Sequence, residues 1–531
     1  MTQGRAVLLI VIATLAIGAF ACLGPEERVA YLFHDDAYYY LGVAKHLAHG
    51  DGSTFDGLHR TNGYHPLWCW VLVPVFRVVD DPGIAVRVVG MLWYALAAAS
   101  AAALWWALRN RTPGWGAVLA AGIFALHPAV MLRLARPNGL ETPLYALLLA
   151  LFLGSWERVL ESGRPTFFKS LALGVLLGAL ILSRLDAGMF ALAAAVLLFA
   201  VPRGGWGVLA LASAASAVVL PVLAWNTAQF GSPMPVSERA VQVYAQAERA
   251  GLGAGELVSS RVHLGVSELP LALAREACGG WSALEPLWKR GWPIGVVVVS
   301  IVALFTAIAI RRRSRGREIV PDAVVLLASG CLLHFVAYAA WFWPGGEREF
   351  RLYYFMPEGM LVAAALGVCL PWPRLLVVLY AAAGIAVGVL RLAAAPSSPG
   401  PLAERRLFGW VRHTLPQEAV LATTDAGMLG FFSGRPVVNL DGLINDERFL
   451  EALSRGERDR YVVASPITHL VAGEGALQGW SPEAPDRPPQ AHDWMGTLLY
   501  EVNRRPGAHL VEAGRVEGWV VFEVVRRADS R

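Results

Sequence analysis

This chain reads as a polytopic α-helical membrane protein carrying a small α/β domain at its C-terminal end, on three observations. Hydrophobic residues make up 56% of its 531 residues and charged residues only 16%, too apolar for a soluble chain of this length. Long apolar stretches recur from the N-terminus to about residue 394, each near the roughly 20 residues that a bilayer crossing needs. After residue 395 charge and proline rise, and the long apolar runs cease. Nineteen Trp and fourteen Tyr suit an aromatic belt at the membrane–water boundary.

Spans are expected near 5–23, 83–108, 115–133, 140–156, 168–183, 187–201, 206–227, 293–310, 321–343, 353–370 and 374–394. The first follows Arg5, and Ala19-Phe20-Ala21 resembles a cleavage site. It reads as an uncleaved anchor because so many spans follow. The apolar piece 66–79 opens with Pro66 and is too short to cross, so it reads as a re-entrant or interfacial helix. Charge supports that choice. With the N-terminus inside, Arg109, Arg111, Arg158, Arg164, Lys169, Arg203, the basic run 311–317 and Arg374 all fall on the cytoplasmic side. Were 66–79 to span, that basic run would face outward. The count is about eleven spans, with the C-terminus outside.

Two domains follow: a membrane domain over 1–394, with a large outer loop at 24–82, and an extracytoplasmic α/β domain over 395–531. The linker Ala-Pro-Ser-Ser-Pro-Gly-Pro (395–401) is a proline-rich hinge. Val-Leu-Ala-Thr-Thr, Val-Val-Asn-Leu-Asp and Trp-Val-Val-Phe-Glu-Val-Val read as strands between helical stretches. No internal repeat is evident. Cys22, Cys331 and Cys369 lie in apolar segments as small hydrophobes. Nothing in the sequence pairs Cys69 with Cys278, and no C-x-x-C spacing occurs.

Chemistry concentrates just after the first span. Phe-His-Asp-Asp-Ala-Tyr-Tyr-Tyr-Leu places Asp35 beside Asp36, and Gly-Ser-Thr-Phe-Asp-Gly-Leu-His-Arg-Thr-Asn-Gly-Tyr-His-Pro-Leu-Trp follows. Adjacent residues do not share a face of a helix or strand. One carboxylate can point at a reaction while the other orients it or binds a cation. An acceptor hydroxyl needs a base, and a departing phosphate needs cations. Arg133, Arg136, Arg184, Arg348 and Arg351, with Arg87 as a sixth, lie toward the outer side. Cations there are costly and usually functional, and a lipid phosphate would suit them.

Plainer roles compete for the same residues. Asp35-Asp36 could cap a helix, Asn138-x-x-Glu141 fits a capping box, and Arg184 with Asp186 could be a local ion pair. His34, His46, His49, His59 and His65 crowd together without a metal-ligand spacing; no protein-only metal site is expected, though a divalent cation at the acidic pair is possible chemistry. Tyr38, Tyr39 and Tyr40 read as packing, and Asp56-Gly57 and Asp441-Gly442 as turns.

These motifs together resemble the GT-C membrane glycosyltransferases, which use polyprenyl-phosphate sugars: the protein O-mannosyltransferases, the aminoarabinose transferases and the arabinofuranosyltransferases. His-Pro-Leu-Trp looks like that group's Pro-Pro-Leu element, with His65 replacing the first proline. Leu-Ser-Arg-Leu-Asp-Ala-Gly resembles its Arg-x-Asp turn, Asn-Gly-Leu-Glu-Thr-Pro-Leu its helix start, and residues 424–446 its outer domain. The resemblance implies an inverting transfer of one sugar from a lipid-phosphate donor to an acceptor hydroxyl of a glycan, lipid or protein. The reaction would take place at the outer face of the cell membrane, with no nucleic-acid partner. It implies Asp35 or Asp36 as general base, and Arg184, Arg348 and Arg351 at the lipid phosphate. Asn62, Tyr64, His65 and Glu141 would shape the sugar pocket, with Asp186 beside Arg184. Two other functions compete: a carrier or flippase for a lipid-linked glycan, expected to show mid-membrane charges and paired repeats, and a sensor or scaffold working through the outer domain.

Overall fold

The computed structural model describes residues 2–24, 33–112, 114–126, 138–161, 166–199, 204–250, 322–337, 356–369, 372–393, 399–477, 480 and 494–526. The membrane part opens with α1 (Gln3–Cys22), capped by the Thr2 hydroxyl, which accepts from Arg5 N. Next come α2 (Asp35–His49), α3 (Pro66–Phe76), α4 (Pro82–Leu108), α5 (Gly116–Leu126), α6 (Thr142–Glu161) and α7 (Phe167–Ser183). A single 3-10 turn at Leu185–Ala187 separates α7 from α8 (Gly188–Phe199). Then follow α9 (Gly204–Phe230), α10 (Val236–Ala250), α11 (Asp322–Ala337), α12 (Met356–Cys369) and α13 (Arg374–Ala393).

Among the described residues, four helices are long and apolar enough to cross a bilayer, within α1, α4, α6 and α9. Apolar helices too short to count as crossings lie around 66–76, 116–126, 167–183, 185–199, 322–337, 356–368 and 374–386, the first in the stretch read as re-entrant and the others in stretches read as spans. The expected span at 293–310 lies outside the described residues. At 11 residues, α3 is about 16 Å long, roughly half the hydrocarbon thickness.

Local chemistry sets the helix ends. Asp81 caps α4 by accepting from Ile84 N at 2.8 Å, with Pro82 in the first helical position, where its missing N–H costs nothing. Arg87 donates to the carbonyls of Cys22 and Gly24 at 2.6 and 2.9 Å. It thus serves the C-terminal end of α1, whereas the sequence placed it among candidate anion binders. α7 and α9 pack through Gly174 and Gly178, where an added Cβ would strike Leu211, Ala214 and Val218; small residues four apart let two backbones approach.

Past Pro399 the chain forms α14 (Pro399–Thr414), β1 (Leu421–Thr423), α15 (Gly427–Ser433), β2 (Val437–Asn439), α16 (Glu447–Arg455), α17 (Arg458–Ala464), β3 (His469–Gly473), α18 (Trp494–Arg504), β4 (Ala508–Val516) and β5 (Trp519–Arg526). One five-stranded sheet results, in the order β2-β1-β3-β5-β4. β1 is parallel to β2 (Leu421 opposite Val437) and to β3 (Leu421 opposite His469). Both β1 and β2 are buried along their whole length, as parallel strands covered on two faces should be. β5 runs antiparallel to β3 and β4. The β4–β5 turn needs positive φ at Glu517 and Gly518, 39° and 89°.

This sheet domain does not keep its core to itself. One hydrophobic cluster joins Tyr38, Leu41 and Phe55 of the first loop to Phe408, Leu421, Phe431 and Val437. Another joins Val236 and Ala240 of α10 to Val438, Phe449 and Phe522. A third lies wholly in the membrane part, among α6, α7, α8 and α11.

Candidate active site

The site is organised by α2. His34 stands at its N-cap, accepting weakly from Asp36 N at 3.4 Å, and Gly50 ends it in the left-handed region at φ 90°. Asp35 and Asp36 therefore occupy the first turn, where the helix dipole favours negative charge. Residues four apart stack on one helix face, so Asp35 shares a face with Tyr39, and Asp36 shares the neighbouring face with Tyr40.

The Asp35–Tyr39 face meets the sheet domain. Asp35 accepts from Gly427 N (Oδ2, 2.9 Å) and Met428 N (Oδ1, 2.7 Å), the first residues of α15. A Cβ on Gly427 would strike the Asp35 carbonyl, so only glycine allows this approach. The Tyr39 hydroxyl donates to Asp441 Oδ2 at 3.3 Å and accepts from Asn439 Nδ2 at 2.9 Å and Ala426 N at 3.2 Å. Phe55 seats its ring edge-on to Tyr39 at 5.2 Å and fills the space beside Gly42 and Gly430.

Carboxylates crowd here. Burial pushes Asp35 up to about 7 against the two backbone N–H bonds, and the charges of Asp425 and Asp36 add to the rise. Asp441 is likewise pushed up to about 7 by burial, opposed by bonds from Leu443 N and Asn439, with Asp36 and Asp425 raising it further. Burial first, then the surrounding carboxylates, keep the Tyr39 phenol protonated. Asp36 itself is 3.5 Å from His34 Nδ1, with 16% of its side chain exposed.

Tyr40, on the neighbouring face, meets a second polar cluster. The Tyr40 hydroxyl accepts from His65 N at 3.3 Å. His65 precedes α3, with Pro66 in the first helical position, and Trp68 Nε1 donates to Gly139 O at 3.1 Å. That bond ties α3 to the turn before α6, where Gly139 has φ +72° and leaves no room for a Cβ beside Ala37 and Phe33. Just beyond, Glu141 Oε1 pairs with Arg184 at 2.8 Å and lies 3.9 Å from His65 Nε2. Burial lowers His65 below its ordinary value, although Glu141 pulls the other way, so the ring is neutral near pH 7.

Arg184 stands in extended backbone between α7 and the 3-10 turn. Its Nε donates to both Asp186 oxygens at 3.2 Å and its terminal nitrogen to Oδ2 at 2.6 Å. The guanidinium lies over Tyr145 at 5.7 Å. His334 extends the cluster, 3.4 Å from Asp186 and 2.8 Å from Glu358.

Several expectations change on this geometry. Glu141 does not close a capping box on Asn138: Asn138 Oδ1 instead accepts from Leu140 N at 3.1 Å, and the Glu141 side chain goes to Arg184. The local Arg184–Asp186 ion pair that the sequence offered forms, and Glu141 joins it on the same guanidinium. Tyr64 bonds Ser53 Oγ at 2.6 Å and stiffens the loop. Asn62 Oδ1 accepts from Val236 N at 2.9 Å. Arg133, Arg136, Arg348 and Arg351 lie outside the described residues.

The histidines disperse onto different carboxylates: His46 on Asp51, His49 near Asp80, His59 on Asp56. Among the described residues no three His, Cys, Asp or Glu side chains gather to hold a metal ion. Sequence reasoning did not single out Asn439, Asp425, Glu238, His334 or Glu358, and it read Tyr39 as packing. It took Asp441 for a turn residue. The sole hint was the family likeness of residues 424–446.

Comparison with known proteins then bears on the whole chain. Residues 64–226 match the family described as dolichyl-phosphate-mannose-protein mannosyltransferase, and residues 401–496 match a domain of unknown function, DUF8728. Among curated proteins nothing matches in sequence. Two crystal structures of ArnT from Cupriavidus metallidurans, one apo and one bound to undecaprenyl phosphate, are similar at 13% identity. Each has a TM-score of 0.55, covering 98% of this chain and 98% of theirs. The apo oligosaccharyltransferase of Archaeoglobus fulgidus is similar at 14% identity and a TM-score of 0.53, over 99% of this chain and 75% of its own. At this identity the likeness is one of architecture, and it agrees with the motifs around Asp35, His65 and Arg184: the chain has the GT-C fold of polytopic membrane glycosyltransferases.

Proposed function

We propose that this protein is a glycosyltransferase that moves one sugar from a polyprenyl-phosphate carrier to an acceptor hydroxyl at the outer face of the membrane. The observation that carries the reading is the division of the acidic pair between two faces of α2. Asp35 spends both oxygens on the sheet domain. Asp36 lies beside His34 with part of its side chain exposed, and its charge reaches Asp35 and Asp441. In this reading Asp36 is the general base and Asp35 its anchor. Asp36 takes the acceptor proton as the acceptor oxygen attacks the anomeric carbon. The bond from that carbon to the phosphate oxygen breaks on the opposite side, and the lipid phosphate leaves with the electron pair. Inversion follows from a single displacement.

The match of residues 64–226 to a dolichyl-phosphate-mannose transferase family and the undecaprenyl phosphate bound by ArnT support a lipid-linked donor. Residues 1–394 form the catalytic membrane domain and 395–531 an outer domain seated on it. Asn62, His65 and Glu141 face the sugar. Arg184 holds Glu141 and Asp186 in place beside it, and Arg348 and Arg351 take the phosphate.

The test is turnover of undecaprenyl-phosphate sugars by the purified full-length protein in nanodiscs. Wild type releases undecaprenyl phosphate; Asp36→Asn loses at least about a hundredfold in kcat while folding normally. Undiminished turnover by that variant removes Asp36 from the role. The carrier reading draws on the charged groups buried between α6, α8, α11 and α12. It predicts that the protein moves the intact lipid across a vesicle membrane without cleaving it.

A further inference from the structure

The segment after α9 carries a residue that the reading above leaves unused. α10 is held from three directions. Val236 N donates to Asn62 Oδ1 at 2.9 Å, Arg239 makes two 2.6 Å bonds to Glu447, and the Tyr244 hydroxyl donates to Asp441 O at 2.8 Å. Val236 and Ala240, four apart, are buried in the outer domain's core. The helix is therefore fixed to the first loop and to the sheet domain together, and Glu238 in its first turn is carried to a set place. That place is next to Asn62, which holds the backbone two residues earlier, within reach of the charges of Asp186 and Arg184.

Four buried polar atoms without a hydrogen-bond partner belong to Glu238 (Oε1), Glu141 (Oε2), Asn62 (Nδ2) and His65 (Nδ1), and two more, Tyr145 Oη and Glu358 Oε2, belong to the rest of the Arg184 cluster. The residues Asn62 and Glu141 are only 3% and 2% exposed. Each is tied to the same cluster by its other atoms, Glu141 through Arg184, His65 through Glu141 and Asn62 through α10. Buried polar groups left unpaired are costly and rare in folded proteins, so four together mark a place where a ligand supplies the partners. The set offers one amide donor, two carboxyl oxygens and one imidazole nitrogen. Arg184, the described cation beside it, is already paired with Glu141 and Asp186, so these four atoms do not suit phosphate. It suits adjacent hydroxyls, each of which donates once and accepts from another group.

We propose that Glu238 is a specificity-determining residue that binds hydroxyls of the transferred sugar, completing a four-point polar pocket with Asn62, His65 and Glu141. This rests on the glycosyltransferase reading for the identity of the sugar but not for its chemistry. Burial raises the Glu238 carboxyl to about 7, so near neutral pH it is both donor and acceptor, which widens the hydroxyl geometries it can meet.

Binding separates this proposal from the reaction itself. Affinity is measured calorimetrically, without turnover, for the full-length protein in nanodiscs. The probes are undecaprenyl-phosphate mannose, undecaprenyl-phosphate arabinose, bare undecaprenyl phosphate and a methyl glycoside acceptor panel. Glu238→Ala weakens at least one sugar-bearing lipid about tenfold and leaves bare undecaprenyl phosphate within about twofold. Glu238→Gln, which keeps an acceptor and a donor, falls between. Equal affinity of wild type and Glu238→Ala for both sugar-bearing lipids overturns the proposal. So does equal weakening of sugar-bearing and bare lipid, which would make Glu238 structural, or weakening of the methyl glycosides alone, which would place it at the acceptor. Absence of turnover in wild type, with the binding difference intact, would instead reject the transferase reading and leave the pocket standing.

Discussion

Asp35 and Asp36 are neighbours in sequence and strangers in environment. Two backbone N–H groups from α15 end on Asp35. Asp35→Ala strands both donors, and the cost expected is about 2–4 kcal/mol, read from denaturant melts or from the rate of proteolytic release of the sheet domain. Asp35→Asn keeps one acceptor and should retain well more activity than Asp35→Ala. Equal loss in both variants would transfer the base role to Asp35.

Acid should strengthen this junction. Asp35 and Asp441 hold their protons up to about pH 7 in the folded chain, whereas an unfolded carboxyl releases its proton near pH 4. Between those values the folded state binds more protons, so the contribution of these two groups falls as pH rises and levels off above about 7. Melting of the junction at pH 5, 6, 7 and 8 checks the sign.

Arg184 makes the opposite kind of case. Removing it as Arg184→Met leaves Glu141 and Asp186 buried without their cation, a loss of roughly 3–5 kcal/mol, seen as a lower melting temperature and poor expression. Of these residues the acidic pair and the Arg-x-Asp turn were readable in sequence, because both are short-range patterns. Tyr39, Asp425 and Asp441 were not. Their meaning depends on contacts such as Gly427 to Asp35, 392 positions apart, which no local spacing encodes. Glu238 was hidden for another reason: a glutamate in the first turn of an amphipathic helix looks like a solvated charge that favours the dipole.

At the scale of elements, helices were easier to foresee than their ends. Apolar length marked α1, α4 and α9. The supposed capping box before α6 failed because a buried guanidinium outcompetes a backbone N–H for Glu141. The short α15 could not have been anticipated as an element of the site, since its seven residues read as one more apolar patch. Its placement depends on Gly427, so Gly427→Val should drive α15 away from α2. The expected signature is faster proteolysis of the outer domain and loss of turnover, with the membrane part still folded. For the α7–α9 pair, Gly178→Leu forces a side chain against Val218 and should cost 1–3 kcal/mol as overpacking, measured as thermal stability in detergent.

For the whole molecule, the division into a membrane part and a sheet domain was visible in composition alone. That the two share hydrophobic cores was not, because burial between distant segments leaves no periodic mark in either. Tyr38 meets Phe431 and Phe432 at 5.5 and 5.4 Å, so the sheet domain's apolar surface is finished by the first loop. Residues 399–526 expressed alone should expose that surface and associate or bind hydrophobic dyes, whereas the full chain should not.

Gly63 has a consequence for traffic. A single methyl group added there would run into the carbonyl of Leu443 and crowd Val236, so the first loop, α10 and the outer domain meet without clearance. No ligand threads between residues 63 and 443. That joint is a closed seam, and a molecule bound for Asp36 does not pass through it.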